Sequence, residues 1–140
     1  MKLSTKGRYA VMAMADLATN ENLKPVSLNA ISIRQNISLS YLEQLFQKLK
    51  NNHLVKSARG PQGGYMLEKK AKDIKLSSII FAVNEEVKTL NCKKDSKKGC
   101  DGRSVKCITH NLWDDLEKHI NGFFENKSLN ELISKQDNIF

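Results

Sequence analysis

The residues best equipped for chemistry lie close together in the second half of the chain. Cys92, Cys100, Cys107 and His110 form the pattern C-x7-C-x6-C-x2-H. Thiolates and imidazole are soft to borderline donors, suited to zinc, copper(I) or iron–sulfur clusters. The short gap between Cys107 and His110 lets both sit at a helix start and face one centre. The longer gaps are polar loop, free to wrap around that centre. They carry Lys93, Lys94, Lys97, Lys98, Arg103 and Lys106, and nearby cations favour the thiolate, the form that ligates. Three Cys and one His can hold tetrahedral zinc. The same set can hold a [2Fe–2S] cluster with His in place of one of the usual four cysteines. Ligand types leave both open. The plain alternative is three ordinary loop thiols. Their clustering argues against it, and their odd number argues against a disulfide framework.

These ligands sit in a chain of 140 residues, 40% hydrophobic and 27% charged, the composition of a globular domain with a modest core. No apolar run approaches the ~20 residues of a membrane span. The stretch Met1–Arg8 is basic but lacks the apolar core and cleavage site of a secretory signal. A cytoplasmic location is expected, where free thiols persist. The net charge of +8 is unevenly placed. Residues 1–70 hold eleven Lys/Arg against four Asp/Glu, a balance of +7, while residues 71–140 hold twelve against eleven, a balance of +1. A basic half suits a polyanion partner, because Lys/Arg beside phosphates release counterions.

The elements of that basic half explain the excess. Ala10, Ala13, Met14, Leu17 and Ala18 fall on one face of a helix running from Thr5 to about Thr19. Met12 and Met14 read as packing residues. Ser27 caps a short helix through Arg34, with Leu28 and Ile31 inward. After Asn36-Ile37-Ser38, Ser38 caps a third helix with a buried stripe of Leu39, Leu42, Leu45, Phe46 and Leu49. Its other face offers Ser40, Tyr41, Glu43, Gln44, Gln47 and Lys48, which hydrogen-bond well and pack poorly. Such a pair is a helix-turn-helix whose second helix enters a DNA major groove. Two short strands follow, Leu54–Ala58 and Tyr65–Glu68, around the tip Arg59-Gly60-Pro61-Gln62-Gly63-Gly64. A hairpin in that place is a wing, and Arg59 at its tip suits a narrow, electronegative minor groove.

The second half reads as a helix over Asp73–Asn84, a polar loop over 91–106, and a long amphipathic helix from about Ile108 to Asn121. Gly122 is expected to end or bend that helix. Its apolar face carries Leu112, Trp113, Leu116, Ile120 and Phe123, more than a small winged domain can cover, which points to a homodimer interface. Ser128-Leu129-Asn130-Glu131 matches a capping box opening a last short helix. The fold class is therefore mostly α with a small β-hairpin wing: a winged helix-turn-helix plus a long C-terminal dimerisation helix. The expected divisions are 1–70 for DNA binding, 71–90 as a linking helix region, 91–110 as the ligand loop, and 108–140 for dimerisation and the last helix. No enzyme is expected. The glycines at 60, 63 and 64 belong to a hairpin, not to a strand-to-helix phosphate loop, and His53 and His119 lack obvious partners.

Long segments resemble the iron–sulfur cluster regulator (IscR) family: Met1–Val11, Ile37–Phe46, Val55–Tyr65 and Cys107-x-x-His110-x-Leu112-Trp113. The resemblance covers essentially the whole chain. It implies a homodimeric winged-helix regulator, mainly a repressor, that binds double-stranded operator DNA and carries a [2Fe–2S] cluster on Cys92, Cys100, Cys107 and His110. It implies that cluster-assembly machinery donates the cluster and that cluster-assembly genes are controlled. It assigns DNA contacts to Ser38, Ser40, Tyr41, Glu43, Gln44, Arg59 and Gly60. Glu43 would discourage one operator class until cluster binding rearranges the region. A carboxylate has a simple cost beside phosphates, and it accepts only from cytosine in the major groove. The family spaces its cysteines by five residues in each gap. The gaps of seven and six here depart from that, at little cost in loop closure. A nitric-oxide or redox sensor of the same superfamily would use the same parts. A zinc-stabilised Cys3His nucleic-acid-binding protein, loosely similar in spacing to RNA-binding zinc fingers, is the alternative from another class.

Overall fold

The computed structural model describes residues 4–22, 24–84 and 108–137. Helix α1 spans Thr5–Asn20, α2 Leu28–Gln35 and α3 Leu39–Asn51. Strands β1 (Val55–Ala58) and β2 (Gly64–Leu67) pair antiparallel, with Val55 opposite Leu67 and Ala58 opposite Gly64. A 3-10 turn, Ala71–Asp73, leads to α4 (Leu76–Ala82). Helices α5 (His110–Glu125) and α6 (Leu129–Asp137) complete the described elements. No helix among them is long and apolar enough to cross a membrane. The architecture is mostly helical with one two-stranded hairpin.

Helix α1 is the spine. Ala10, Ala13, Met14 and Leu17 are fully buried, as their spacing requires. Met12 is 38% exposed, which corrects its reading as a packing residue. Two residues from Met14, it lies on the far side of the helix. Helix α1 packs against α2, α3, α4 and α6, so the core continues past residue 70. Ile74, Leu76, Ile79, Val83 and Leu129 join Leu42, Phe46 and Leu49 in one cluster.

One polar residue is sealed into this spine. Asp16 is 5% exposed. Arg34 donates to it from Nε (2.9 Å to Oδ2) and from Nη2 (2.7 Å to Oδ1). Gln35 Nε2 donates at 2.9 Å and Asn20 Nδ2 at 3.3 Å. Arg34 and Gln35 are the last residues of α2. The network therefore fixes the point where α2 hands over to the turn. Asn36 then takes the left-handed conformation (φ 54°, ψ 49°), which Asn tolerates better than most residues. The Ile37 amide closes the turn onto the Ser32 carbonyl at 3.2 Å.

Several local expectations change. Ser27 caps α2 by accepting from the Ala30 amide. Ser38 occupies the same position on α3 but makes no side-chain cap. Its hydroxyl lies 3.0 Å from that of Ser40. Leu39, expected in the buried stripe, is 39% exposed, because the first turn of α3 overhangs the core. The helix expected over Asp73–Asn84 is interrupted. Residues 74–75 are drawn out by long-range pairing: the Leu76 amide donates to the Lys127 carbonyl, and the Leu129 amide to that of Ile74. Gly122 does not end α5, which continues to Glu125. A side chain there would meet open space. At the foreseen capping box, the Glu131 amide donates to the Ser128 carbonyl, while the Glu131 carboxylate pairs with Lys127 at 3.6 Å.

The Asp16 network carries a pH signature. Burial raises the Asp16 pKa, but the hydrogen bonds from Arg34, Gln35 and Asn20 and the Arg34 charge outweigh it, holding the carboxyl below its ordinary value of 3.8. A depressed folded pKa stabilises above the unfolded value, and that stability is lost as pH falls through the folded one. Asp16→Asn should lower the unfolding free energy at neutral pH by about 1–3 kcal/mol, moderated because Arg34 faces water on one side. In urea titrations the wild type's advantage should be complete above pH 3.8 and shrink below it. A constant gap across that window would contradict the assignment.

Candidate nucleic-acid interface and metal ligands

The reading face builds on α3. Leu42, Leu45, Phe46 and Leu49 face inward and are buried. The intervening positions then lie outside by helical geometry. Ser38, Ser40, Glu43, Gln44 and Gln47 are exposed, and Tyr41 is half-buried. Among the described residues, Glu43 and Gln44 have no hydrogen-bond or ion-pair partner, whereas Gln47 donates to Asn51 at 3.1 Å. Tyr41 meets Tyr9 of α1 edge to face, with centroids 5.8 Å apart.

The wing is tied to the same body. Val26 and Tyr65 exchange two backbone hydrogen bonds, 2.9 and 2.8 Å long. The Leu67 amide donates to the Glu21 carboxylate at 2.9 Å. The Tyr65 ring meets Phe46 of α3 at 5.0 Å. Gly64 makes this docking possible, since a Cβ there would lie 2.3 Å from the Val26 carbonyl oxygen. At the tip Gly60 has φ 111°, open to glycine and strained for other residues. Arg59 stands exposed beside it, with no ion pair among the described residues. The structure thus carries a polar helix face and a cationic hairpin tip on one scaffold.

A feature that periodicity does not reveal lies at the foot of α3. Thr5 and Tyr9 of α1 meet Asn36, Ile37, Ser38 and Tyr41 around an open cleft of about 350 Å³. In the sequence its only trace is Thr5 and Tyr9 at i and i+4, beside the alanine face.

The ligand set is divided by what is described. Cys92, Cys100 and Cys107 lie outside the described residues. His110 is the first residue of α5 and is 8% exposed. Among the described residues no group of three or more His, Cys, Asp and Glu side chains gathers as for a metal. The chemistry of the full donor set, three thiols and an imidazole, fits both a [2Fe–2S] cluster and zinc.

Helix α5 packs against α4 and leaves an apolar stripe facing water. Leu112 is 60% exposed, Trp113 40% and Phe123 55%. Leu116 and Ile120 between them are half-buried. Phe124, one residue on, turns into the core, and Lys127 Nζ stands 5.4 Å above the Phe123 ring.

The chain matches the model of the Rrf2 family, described as an iron-dependent transcriptional regulator, over residues 3–135. The HTH-type transcriptional regulator IscR of Serratia proteamaculans is 51% identical over 137 residues, covering 98% of this chain and 82% of that protein. The protein of the same description from Escherichia coli is also 51% identical, covering 98% and 83%. Among solved structures, T. potens IscR has a TM-score of 0.77 at 37% identity, covering 97% of this chain and 88% of that one. CymR, the global cysteine regulator of B. subtilis, has a TM-score of 0.79 at 31% identity, covering 96% and 98%. The IscR proteins of Serratia proteamaculans and Escherichia coli are named as transcriptional regulators, not as enzymes. The chain, a helix-turn-helix transcriptional regulator, belongs to the Rrf2 family.

Proposed function

We propose that the chain is a homodimeric, sequence-specific DNA-binding regulator, mainly a repressor, that senses iron–sulfur cluster status and controls cluster-assembly genes. It works in the bacterial cytoplasm and receives its cluster from the assembly machinery. The observation that carries the reading is the separation of parts on one core. The polar face of α3 and the exposed Arg59 tip form an output surface, while His110 heads a different helix. Ser38, Ser40, Tyr41 and Gln44 contact base edges or phosphates, Arg59 with Gly60 enters the minor groove, and Glu43 discriminates between operators through its charge.

Cys92, Cys100, Cys107 and His110 would hold the cluster. Ligation needs deprotonated thiols and a neutral imidazole. When bound, a [2Fe–2S] group makes occupancy dependent on iron supply and on oxidants. Operator choice follows only if the DNA-competent and incompetent arrangements of the chain hold the cluster unequally. Anaerobically purified protein should be brown, with about two irons and two sulfides per chain, and Cys107→Ser should lose both while keeping its thermal transition. A colourless protein with one zinc per chain would sink the cluster assignment and favour the zinc-stabilised alternative.

The apolar stripe of Leu112, Trp113, Leu116, Ile120 and Phe123 supports pairing of α5 with a second copy. Exposed patches of this kind mark interfaces, and two reading helices one helical turn apart, ~34 Å, match a palindromic operator. The Leu112→Asp/Phe123→Asp double variant should sediment with half the wild-type mass. An unchanged mass would remove this face from the dimer.

Arg59→Ala should weaken operator binding by roughly tenfold, within the 1–3 kcal/mol range of one specific contact, with iron content unchanged. Fluorescence anisotropy with a labelled operator measures it, and an unaltered Kd would exclude the wing from recognition.

A further inference from the structure

The cleft at the foot of α3 shares Ser38 and Tyr41 with the reading face and extends it onto α1. Its lining comes from the first turns of α1 (Thr5, Tyr9), the interhelical turn (Asn36, Ile37, Ser38) and α3 (Tyr41). A volume of about 350 Å³ falls at the lower end of small-ligand sites. We propose that it seats one deoxyribose-phosphate unit of the duplex backbone, bringing Thr5, Arg8 and Tyr9 of α1 into the DNA interface. This rests on the reading of α3 as the DNA-reading helix.

Three observations support that occupant. The first is chemical. The lining is hydroxyl, phenol and amide over the buried Ile37, and it contains no carboxylate to repel an anion. The Tyr9–Tyr41 edge pair and Ile37 give a sugar an apolar wall, and the hydroxyls can donate to phosphate oxygens. The second is charge. Arg8, three residues from Thr5 and so beside it on the helix, is exposed and has no ion pair among the described residues. The third is continuity. Ser38 lines the cleft and its hydroxyl lies 3.0 Å from that of Ser40 on the reading face. A backbone following the groove past Ser40 passes the cleft mouth. No cation lines the cleft, so a free phosphate gains little there. A phosphate delivered by a docked duplex arrives with its association cost already met.

The role is positioning. Contacts to phosphate and sugar fix the register of a reading helix and carry no sequence information. The test uses full-length protein, a duplex it enriches from random-sequence DNA, and an unselected duplex. The Thr5→Val/Tyr9→Phe double variant keeps both shapes and the ring contact. It should bind both duplexes about tenfold more weakly, leaving their affinity ratio unchanged, while Gln44→Ala changes that ratio. Arg8→Ala should reduce the slope of log affinity against log salt by about one. Ethylation interference should lose one phosphate in the double variant. Unchanged affinity with an identical ethylation pattern would overturn the proposal. So would displacement of the duplex by millimolar inorganic phosphate at constant ionic strength from the wild type but not from the double variant, which would assign the cleft to a free anion. A wild type that enriches no duplex would instead overturn the DNA reading, and this inference with it.

Discussion

A single sealed carboxylate holds the reading apparatus in place. Asp16 accepts from the final two residues of α2 and from Asn20 of its own helix. The next residue along the chain, Asn36, is already in the left-handed turn, and two residues later α3 approaches its first turn. The direction of α3 is therefore fixed relative to α1 through one carboxylate, not through diffuse packing alone. Hydrophobic contact has no direction, while a bidentate Arg–carboxylate pair does. With Arg34 open to water on one side, the pair adds modest net stability, and its bidentate geometry fixes a direction. A surface that must match a fixed groove gains more from the latter.

The wing obeys the same logic by a different route. It is held to the segment before α2 by the Val26–Tyr65 exchange, and to the end of α1 by Glu21. Both anchors lead back to α1 or its C-terminal loop. Reading helix and wing are thus registered against one spine, by the Val26–Tyr65 backbone bonds together with the Glu21 carboxylate and the Phe46–Tyr65 ring contact. Gly64 is where this constraint falls hardest, because the strand crosses Val26 too closely for any side chain.

Much of this was legible in the sequence, for physical reasons. The stripe of α3 and the alanine face of α1 repeat at the helical period. The wing tip is marked by residues that tolerate unusual backbone angles. What was not legible depends on contacts distant in the chain. Asp16 stands between Ala15 and Leu17 in an apolar run, and nothing local says that Arg34 will meet it. The break before α4 comes from pairing with residues 127–129, over fifty positions away. Leu39 and Met12 were misplaced because periodicity ranks faces without saying where a core ends. The cleft between Tyr9 and Tyr41 needs two helices to cross. The four-residue ligand pattern is the opposite case: its spacing is plain in the sequence, while three of its members lie outside the described residues.

The pairing of Lys75 with Ser128, with its backbone bonds to Lys127 and Leu129, has a mechanical consequence. It pins the chain immediately after α5 and so fixes the C-terminal end of that helix beside the start of α4. Sixteen residues extend about 24 Å back from that end, with the buried His110 as the first residue of the helix. A tilt of about 5° about that end would carry His110 by roughly 2 Å over that length. Helix α5 packs on α4, and α4 packs on both α1 and α3. A shift of that size at His110 would be felt first at α4 and, through it, at α1 and α3.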